Sequence, residues 1–427
     1  MKIKVKKLTY EEVLKLPAPK HKNPKRPGAF FRFLIRALGS ADLKATNFSY
    51  EIDPAVKVLE KTPCLILMNH SAFIDLEIAA KIFKDRPYCI VCTSDGFVGK
   101  EGLMRAIGCI PTKKFVTDPA LIADMRYALS RLGTSVLMYP EASYSFDGRA
   151  TALPRRMGLL FKRLDVPVIM VTTTGAFARD PLYNCLQKRR VNVSAKAELL
   201  LSREQVKEKS VEEIDEILDA AFSFDSFAWQ QKNGVEINES FRADGLERIL
   251  YKCPACGAEG KTHGKGITLT CAACGKVYTL DTKGFMRGDG GKTEFAHIPD
   301  WYTWERECVK NQLQNGSYKI DAPVQIYVMK DYKAVYDIGS GRLIHTPEGF
   351  TLTGAQGKLN YTQPPTACYG LYADYFWYEI GDVICIGNRD MLYYCFPNDV
   401  PVAKARLAAE ELYKMKKAQK HATNSNN

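Results

Sequence analysis

The sequence predicts an α/β domain, a sheet flanked by helices, followed by a small metal ribbon and a β-rich module closed by one helix. Three observations carry that reading. Short unbroken apolar runs, Leu65–Met68, Tyr88–Thr93, Ser135–Tyr139 and Val166–Val171, alternate with stretches of helical apolar period, which is how buried strands joined by helices are written. Two Cys-x-x-Cys pairs, Cys253/Cys256 and Cys271/Cys274, stand fourteen residues apart. The last third holds many strand-length runs separated by Gly-containing turns, and then one amphipathic stretch.

A chain of 427 residues is long for one core and divides into compact units. The expected division is a basic N-terminal segment (1–26), the α/β domain (27–235), the ribbon (236–295), the β-rich module (296–418) and a disordered tail (419–427). Hydrophobic residues make up 46% and charged residues 25%, so a largely disordered chain is excluded. The formal charge of +12 favours anionic partners. Nothing approaches the ~20 consecutive apolar residues that span a bilayer, and the basic start Met1–Lys7 is followed by no secretory apolar core. Thirteen cysteines, of which four form the two pairs, suit a reducing compartment. The expected location is cytoplasmic, peripheral on the inner face of the membrane.

Taken in order, residues 1–26 are rich in Lys and Pro and should be loosely held. Pro27–Leu38 carries aromatic and aliphatic bulk, with Arg32 and Arg36 one helical turn apart. It reads as a helix that either packs on the domain or, the reading favoured, lies in a lipid headgroup layer, assisted by Lys20, Lys22, Lys25 and Arg26. The strand Leu65–Met68 ends at Asn69 and His70. From Phe73 the apolar positions Phe73, Ile74, Leu76, Ala80 and Phe83 follow a helical stripe up to Asp85-Arg86-Pro87. His70 is therefore at a strand's carboxyl end and Asp75 in the first turns of the next helix, the crevice where open α/β sheets bind ligands. An imidazole backed by a carboxylate is a general-base pair, because the carboxylate fixes the tautomer and stabilises the imidazolium.

The strand Tyr88–Thr93, a Gly-punctuated segment from Gly96 to Gly108, and Cys109-Ile110-Pro111-Thr112-Lys113-Lys114 come next. A helix over Pro119–Arg131 leads to the strand Ser135–Tyr139, which ends at Pro140-Glu141-Ala142-Ser143-Tyr144-Ser145. A helix over Leu153–Leu164, the strand Val166–Val171 and an edge strand over Val191–Ser202 complete the series. Glu204–Leu218 reads as one solvent-facing amphipathic helix.

The order Asn69-His70-x-x-x-x-Asp75, Gly108-Cys109-Ile110-Pro111, Tyr139-Pro140-Glu141 and Val166-Pro167-Val168 resembles the glycerolipid acyltransferase family, over roughly residues 27–200. The resemblance implies a sheet of that family's type and transfer of a fatty acyl group from acyl-coenzyme A or acyl-carrier protein to a lysophospholipid hydroxyl, with 1-acylglycerol-3-phosphate as the expected acceptor. It makes His70 and Asp75 catalytic, and gives Asn69, Lys114, Glu141 and Ser143 to the substrate. Backbone N–H groups at the helix start after His70 would hold the oxyanion. The chain departs from the pattern at four positions. Lys114 replaces a phosphate-gripping Arg, Ala142 replaces a Gly, Ser143 a Thr, and Tyr144 replaces a second phosphate-binding Arg. Phosphate recognition would then fall to Lys114, with help from Arg149, Arg155 or Arg156, or the acceptor carries no phosphate there. The rival reading is a catalytically degenerate protein that binds the membrane surface.

Cys253, Cys256, Cys271 and Cys274, each pair followed by a Gly (Gly257, Gly275), are expected to close a structural tetrahedral Zn2+ site with no open position for water. His263 lies between the pairs and is expected in solvent. Between Cys256 and Cys271 the basic residues are Lys261 and Lys265, too few for a nucleic-acid platform, so no nucleic-acid partner is expected. A helix beginning at Asp300–Arg306 and ending near Gly316 precedes strands at Val324–Val328, Ala334–Ile338, Phe350–Leu352, Ala367–Leu371, Phe376–Ile380, Val383–Ile386 and Leu392–Phe396. The closing helix, Val402–Lys417, completes an order of elements that resembles a pleckstrin-homology or GRAM-type module.

Overall fold

The computed structural model describes residues 2–116 and 118–425. Seven strands form the first sheet, in the order Ser49–Ile52, Ser194–Leu201, Val168–Thr174, Leu65–Met68, Ser135–Met138, Tyr88–Thr93 and Cys109–Thr112. All neighbours run parallel except Ser194–Leu201 against Val168–Thr174. Leu65–Met68 lies in the middle and all four residues are buried, so an unbroken apolar run is what its two covered faces require. Ser49–Ile52 takes the edge that had been expected for Val191–Ser202. Its Ser-Tyr-Glu-Ile sequence is largely exposed, so it left no apolar period to read.

Helices pack on both faces. Asp75–Ile82 begins two residues after the apolar stripe does, because residues 71–74 form a turn. Glu204–Leu218 is two helices rather than one, Arg203–Glu208 and Val211–Ala221, each opened by its own capping box (Ser202 with Gln205, Ser210 with Glu213). A Ser that caps a new helix ends the old one. Nor is the pair turned wholly to solvent, since Val206, Ile214 and Leu218 are buried. The helix Met157–Leu164 meets them at Gly158, where a Cβ would stand 2.8 Å from the Val211 carbonyl oxygen. The helix expected over Pro27–Leu38 spans Ala29–Ala45 and leaves Phe30, Phe33 and Leu38 exposed. Of the four basic residues expected to assist it, Lys22 is spent on Glu101 at 2.8 Å.

The ribbon is four antiparallel strands, Thr262–Lys265, Thr268–Cys271, Val277–Leu280 and Met286–Gly288. Its Leu269, Tyr278 and Met286 pack into the same core as Trp301 and the β-rich module. That module's sheet runs Leu359–Gln363, Gly349–Gly354, Val335–Thr346, Ile320–Met329, Leu392–Pro397, Gly381–Gly387 and Tyr372–Trp377, all antiparallel. Leu359–Gln363 carried no expectation. The strands expected at Ala367–Leu371 and Phe376–Ile380 are instead one strand, Tyr372–Trp377, followed by a turn in which Tyr378 and Glu379 have positive φ. Aromatic residues favour strands, so a turn built from them reads as a strand.

Two expectations about the ends are corrected. Residues near the start are not loose: Val5–Lys7 pairs parallel with Val335–Asp337 of the β-rich sheet, and Thr9 caps the helix Tyr10–Leu14 with a full capping box. Tyr10 then meets Tyr393, hydroxyl to hydroxyl, at 3.1 Å. At the other end the closing helix runs Val402–Ser425, through most of the stretch expected to be disordered, since Lys, Ala and Gln propagate a helix well. Residues 426–427 lie outside the described residues.

Candidate active site

The strand Leu65–Met68 delivers His70 to the carboxyl edge of the first sheet, and the turn after it folds back around Asp75. His70 Nδ1 lies 3.0 Å from Asp75 Oδ2. The same oxygen accepts the Ser71 N–H at 2.8 Å and the Ala72 N–H at 3.2 Å. Those two N–H groups, expected to hold an oxyanion, are therefore committed to the carboxylate. Asp75 is buried, and burial pushes its carboxyl up to about 7 against the pull of the two N–H groups. For the imidazole, burial first and the Lys114 charge second hold the pKa well below the usual 6.5. A neutral ring that donates Nδ1–H to Asp75 leaves Nε2 as the basic atom.

Both faces of that ring are covered. Tyr139 stacks on it at 4.0 Å between centroids, with the planes 22° apart, and Tyr144 lies at 4.1 Å. The His70 side chain is 18% exposed.

The residues expected to touch substrate are brought close but are turned inward. Asn69 is fully buried. Its Oδ1 accepts the Thr173 N–H at 2.7 Å and its amide donates to Thr173 O and Ser71 Oγ, each at 3.2 Å. Glu141 is equally buried, with Oε1 accepting the His70 N–H at 3.0 Å and Oε2 the Thr151 N–H at 2.8 Å. Burial pushes its carboxyl up to about 7, and these N–H donors oppose that. Ser143 Oγ accepts from Arg406 Nη2 at 3.2 Å. Lys114 holds its ammonium 4.3 Å from the centre of the Tyr372 ring. It also pulls down Asp374, whose carboxyl burial raises to about 6. Of the arginines named as its helpers, Arg149 pairs with Asp225 and Asp300, each at 2.8 Å, and Arg155 pairs with Asp219 on the surface.

The sequence reading missed the residues that join the β-rich module to this site. Asp95, buried after Tyr88–Thr93, accepts from Tyr372 Oη at 2.7 Å and from Trp377 Nε1 at 3.0 Å. Arg406 comes from the closing helix, buried over Phe146 at 4.1 Å. A charged residue at a core position of an amphipathic helix carries no periodic signal, so only its i, i+4 partner Glu410 could have drawn attention to it.

The ribbon cysteines form a second cluster. Their four Sγ atoms lie within 4.8 Å of one another, with Cys253–Cys274 and Cys256–Cys271 both at 3.8 Å. A tetrahedron with metal–sulfur bonds of about 2.3 Å has edges of about 3.8 Å, so the set fits one metal ion. Gly257 and Gly275 take positive φ, and each donates its N–H to the first Cys of its pair, at 2.8 Å and 2.9 Å. These are the two knuckles expected of such a site.

Comparison with known proteins bears on the domain that holds the first site. Residues 50–174 match the family model described as Acyltransferase. That stretch, with its His–Asp pair at the sheet edge, is an acyltransferase domain. The match supports the glycerolipid acyltransferase family for that stretch. The chain is 26% identical over 126 residues to the 1-acyl-sn-glycerol-3-phosphate acyltransferase BAT2, chloroplastic, of Brassica napus, covering 27% of this chain and 33% of that protein. The chain thus spans about a third of the length of the curated relative it matches. The crystal structure of the 1-acyl-sn-glycerophosphate acyltransferase PlsC from Thermotoga maritima aligns at a TM-score of 0.33 and 13% identity, over 45% of this chain and 80% of that one.

Proposed function

We propose that the protein transfers a fatty acyl group from an acyl thioester, acyl-coenzyme A or acyl-carrier protein, to a hydroxyl of a lysophospholipid in phospholipid synthesis. The acceptor we favour is 1-acylglycerol-3-phosphate. The observation that carries this is the His70–Asp75 pair at the edge of a sheet whose chain matches the acyltransferase model. His70 Nε2 takes the proton of the acceptor hydroxyl as its oxygen attacks the thioester carbonyl carbon. The new C–O bond forms, the C–S bond breaks, and the imidazolium returns its proton to the departing thiolate. Asp75 holds the ring and stabilises its positive charge. Asn69 and Glu141 serve this reaction by fixing the backbone on which His70 stands, and Ser143 is held by Arg406. The intact pair argues against the degenerate binding protein.

The four-cysteine cluster we assign to a structural zinc, because four thiolates leave no coordination position for a reactant. Four strands, three strands and a closing helix keep the pleckstrin-homology likeness as our reading of the last module. Among the described residues no helix is long and apolar enough to cross a membrane. The exposed Phe30, Phe33 and Leu38 share one face of their helix and support peripheral contact with a lipid surface.

The test is purified protein with radiolabelled acyl-coenzyme A or acyl-carrier protein and a panel of lysolipids, read by thin-layer chromatography. His70→Ala should lose about 10²–10⁴-fold in rate. Undiminished transfer by that variant would sink the reading.

A further inference from the structure

The segment that carries Lys114 follows the strand Cys109–Thr112, at the same carboxyl edge as His70. The β-rich module holds it at each residue from Lys113 to Val116. Lys113 Nζ donates to the Arg389 carbonyl oxygen. The Lys114 ammonium lies 4.3 Å from the centre of the Tyr372 ring. Phe115 meets Tyr369 edge-on, with the centroids 5.4 Å apart. Val116 packs against the buried cluster that includes Tyr372 and Trp377. Phe115 takes a φ of 58°, and an aromatic residue persists in that left-handed region only where its surroundings hold it there. The hold is close: a Cβ at Gly370 would stand 2.6 Å from Phe115 Cε1.

Tyr372 is itself fixed. Its hydroxyl donates to Asp95 at 2.7 Å and accepts from Trp377 Nε1 at 3.0 Å, and the same indole N–H reaches Asp95 at 3.0 Å. All three side chains are buried. A ring face attracts an ammonium without spending its N–H donors on a carboxylate, so those donors stay available to a reactant. We propose that the β-rich module completes the active site, with Tyr372 as the positioning residue that seats Lys114 at the catalytic edge. Asp95 is the acyltransferase domain's half of this joint. It stands in the turn Ser94–Phe97, where Ser94 Oγ donates to the Thr112 carbonyl oxygen at 2.8 Å, two residues before Lys114. Tyr372 is thus gripped by the domain whose own loop it holds. The part that Lys114 plays toward an acceptor rests on the acyl-transfer reading; the seating of Lys114 on Tyr372 does not.

The experiment compares Tyr372→Phe with Tyr372→Leu in the full chain. Both remove the hydroxyl that bonds Asp95, and only the second removes the ring. With acyl-coenzyme A and 1-acylglycerol-3-phosphate, Tyr372→Leu should raise the acceptor KM about 3–30-fold and leave the donor KM as in wild type. Tyr372→Phe should keep the wild-type acceptor KM, although both variants lose thermal stability. A second measurement needs no turnover: reductive methylation with formaldehyde and cyanoborohydride, read by peptide mass spectrometry. Lys114 should be modified faster in Tyr372→Leu than in Tyr372→Phe, by up to the same factor, with the exposed Lys196 as internal reference. Should Tyr372→Leu not fold, Gly370→Ala drives a methyl group into Phe115 and should raise both acceptor KM and Lys114 labelling above wild type. Lys114 labelled alike with and without the ring, or labelling that differs with no change in acceptor KM, would overturn the proposal. A wild-type protein that transfers no acyl group would refute the assigned reaction and leave the labelling difference to decide the seating of Lys114.

Discussion

At the scale of single residues, His70 owes its uncharged state to enclosure. Two tyrosine rings and the sheet edge remove water, and the Lys114 charge adds to that penalty on the imidazolium. A pKa below 6.5 means the free base persists as the solution becomes more acid, so the acid limb of kcat/KM should fall below pH 6.5. Lys114→Met removes a charge that depresses the pKa, so that limb should move to higher pH; a limb that stays put or moves down would contradict this. Asp75→Asn keeps the shape but no longer stabilises the imidazolium, and should lower kcat by about 10²–10⁴-fold with the fold intact by circular dichroism. The pair itself was legible in the sequence, because spacing and strand end placed both groups. The tyrosine sandwich was not. Stacking depends on how the Tyr139–Tyr144 turn curls over a neighbouring strand, and no local pattern encodes that.

At the scale of elements, apolar runs located the buried strands well, since a strand covered on both faces has no other way to be written. They failed where an element is stabilised by partners rather than by burial. Ser49–Ile52 is exposed, and Val5–Lys7 is a short exposed strand that lies against the β-rich sheet. Caps show the same dependence on partners. Asp225 caps the helix Ser226–Lys232 through the Ala228 N–H at 2.8 Å, and also binds Arg149 Nε and His297 Nε2 at 2.8 Å each. Burial works against its ionisation, yet His297, the Ala228 N–H and Arg149 bring the carboxyl down to about 2. Its folded pKa lies below its unfolded value, so this contribution to stability is full above about pH 4 and is lost as pH falls toward 2. Asp225→Ala should cost about 1–3 kcal/mol at about pH 7. Urea melts should show the difference narrowing between about pH 4 and about pH 2.

At the scale of the whole molecule, the modules are joined by cores and not only by chain. The ribbon's Tyr278 and Met286 share a core with Trp301 and with residues of the β-rich sheet. Metal removal should therefore be felt well beyond the ribbon. A strong chelator should release one equivalent of metal ion, zinc on the proposed assignment, and lower the melting temperature of the full chain, while Cys253→Ser should reproduce the shift without chelator. An unchanged melt would separate the cysteine cluster from the stability of the rest. The cysteine spacing made the cluster legible. The convergence of ribbon, β-rich sheet and acyltransferase domain was not, since Arg406 meets Ser143 across a separation of 263 residues.

The pairing of Val5 with Val335 has a bearing on how the molecule assembles. On the ribosome the first of these strands waits, without its hydrogen-bonding neighbour, until some 330 more residues have been added. Closing so long a loop adds only slowly to the entropic penalty, but it fixes the sequence of events, with the Val5 segment docking late. A chain terminated after residue 235 would release that strand and the aromatic anchor behind it into solvent, an exposed edge from which self-association starts.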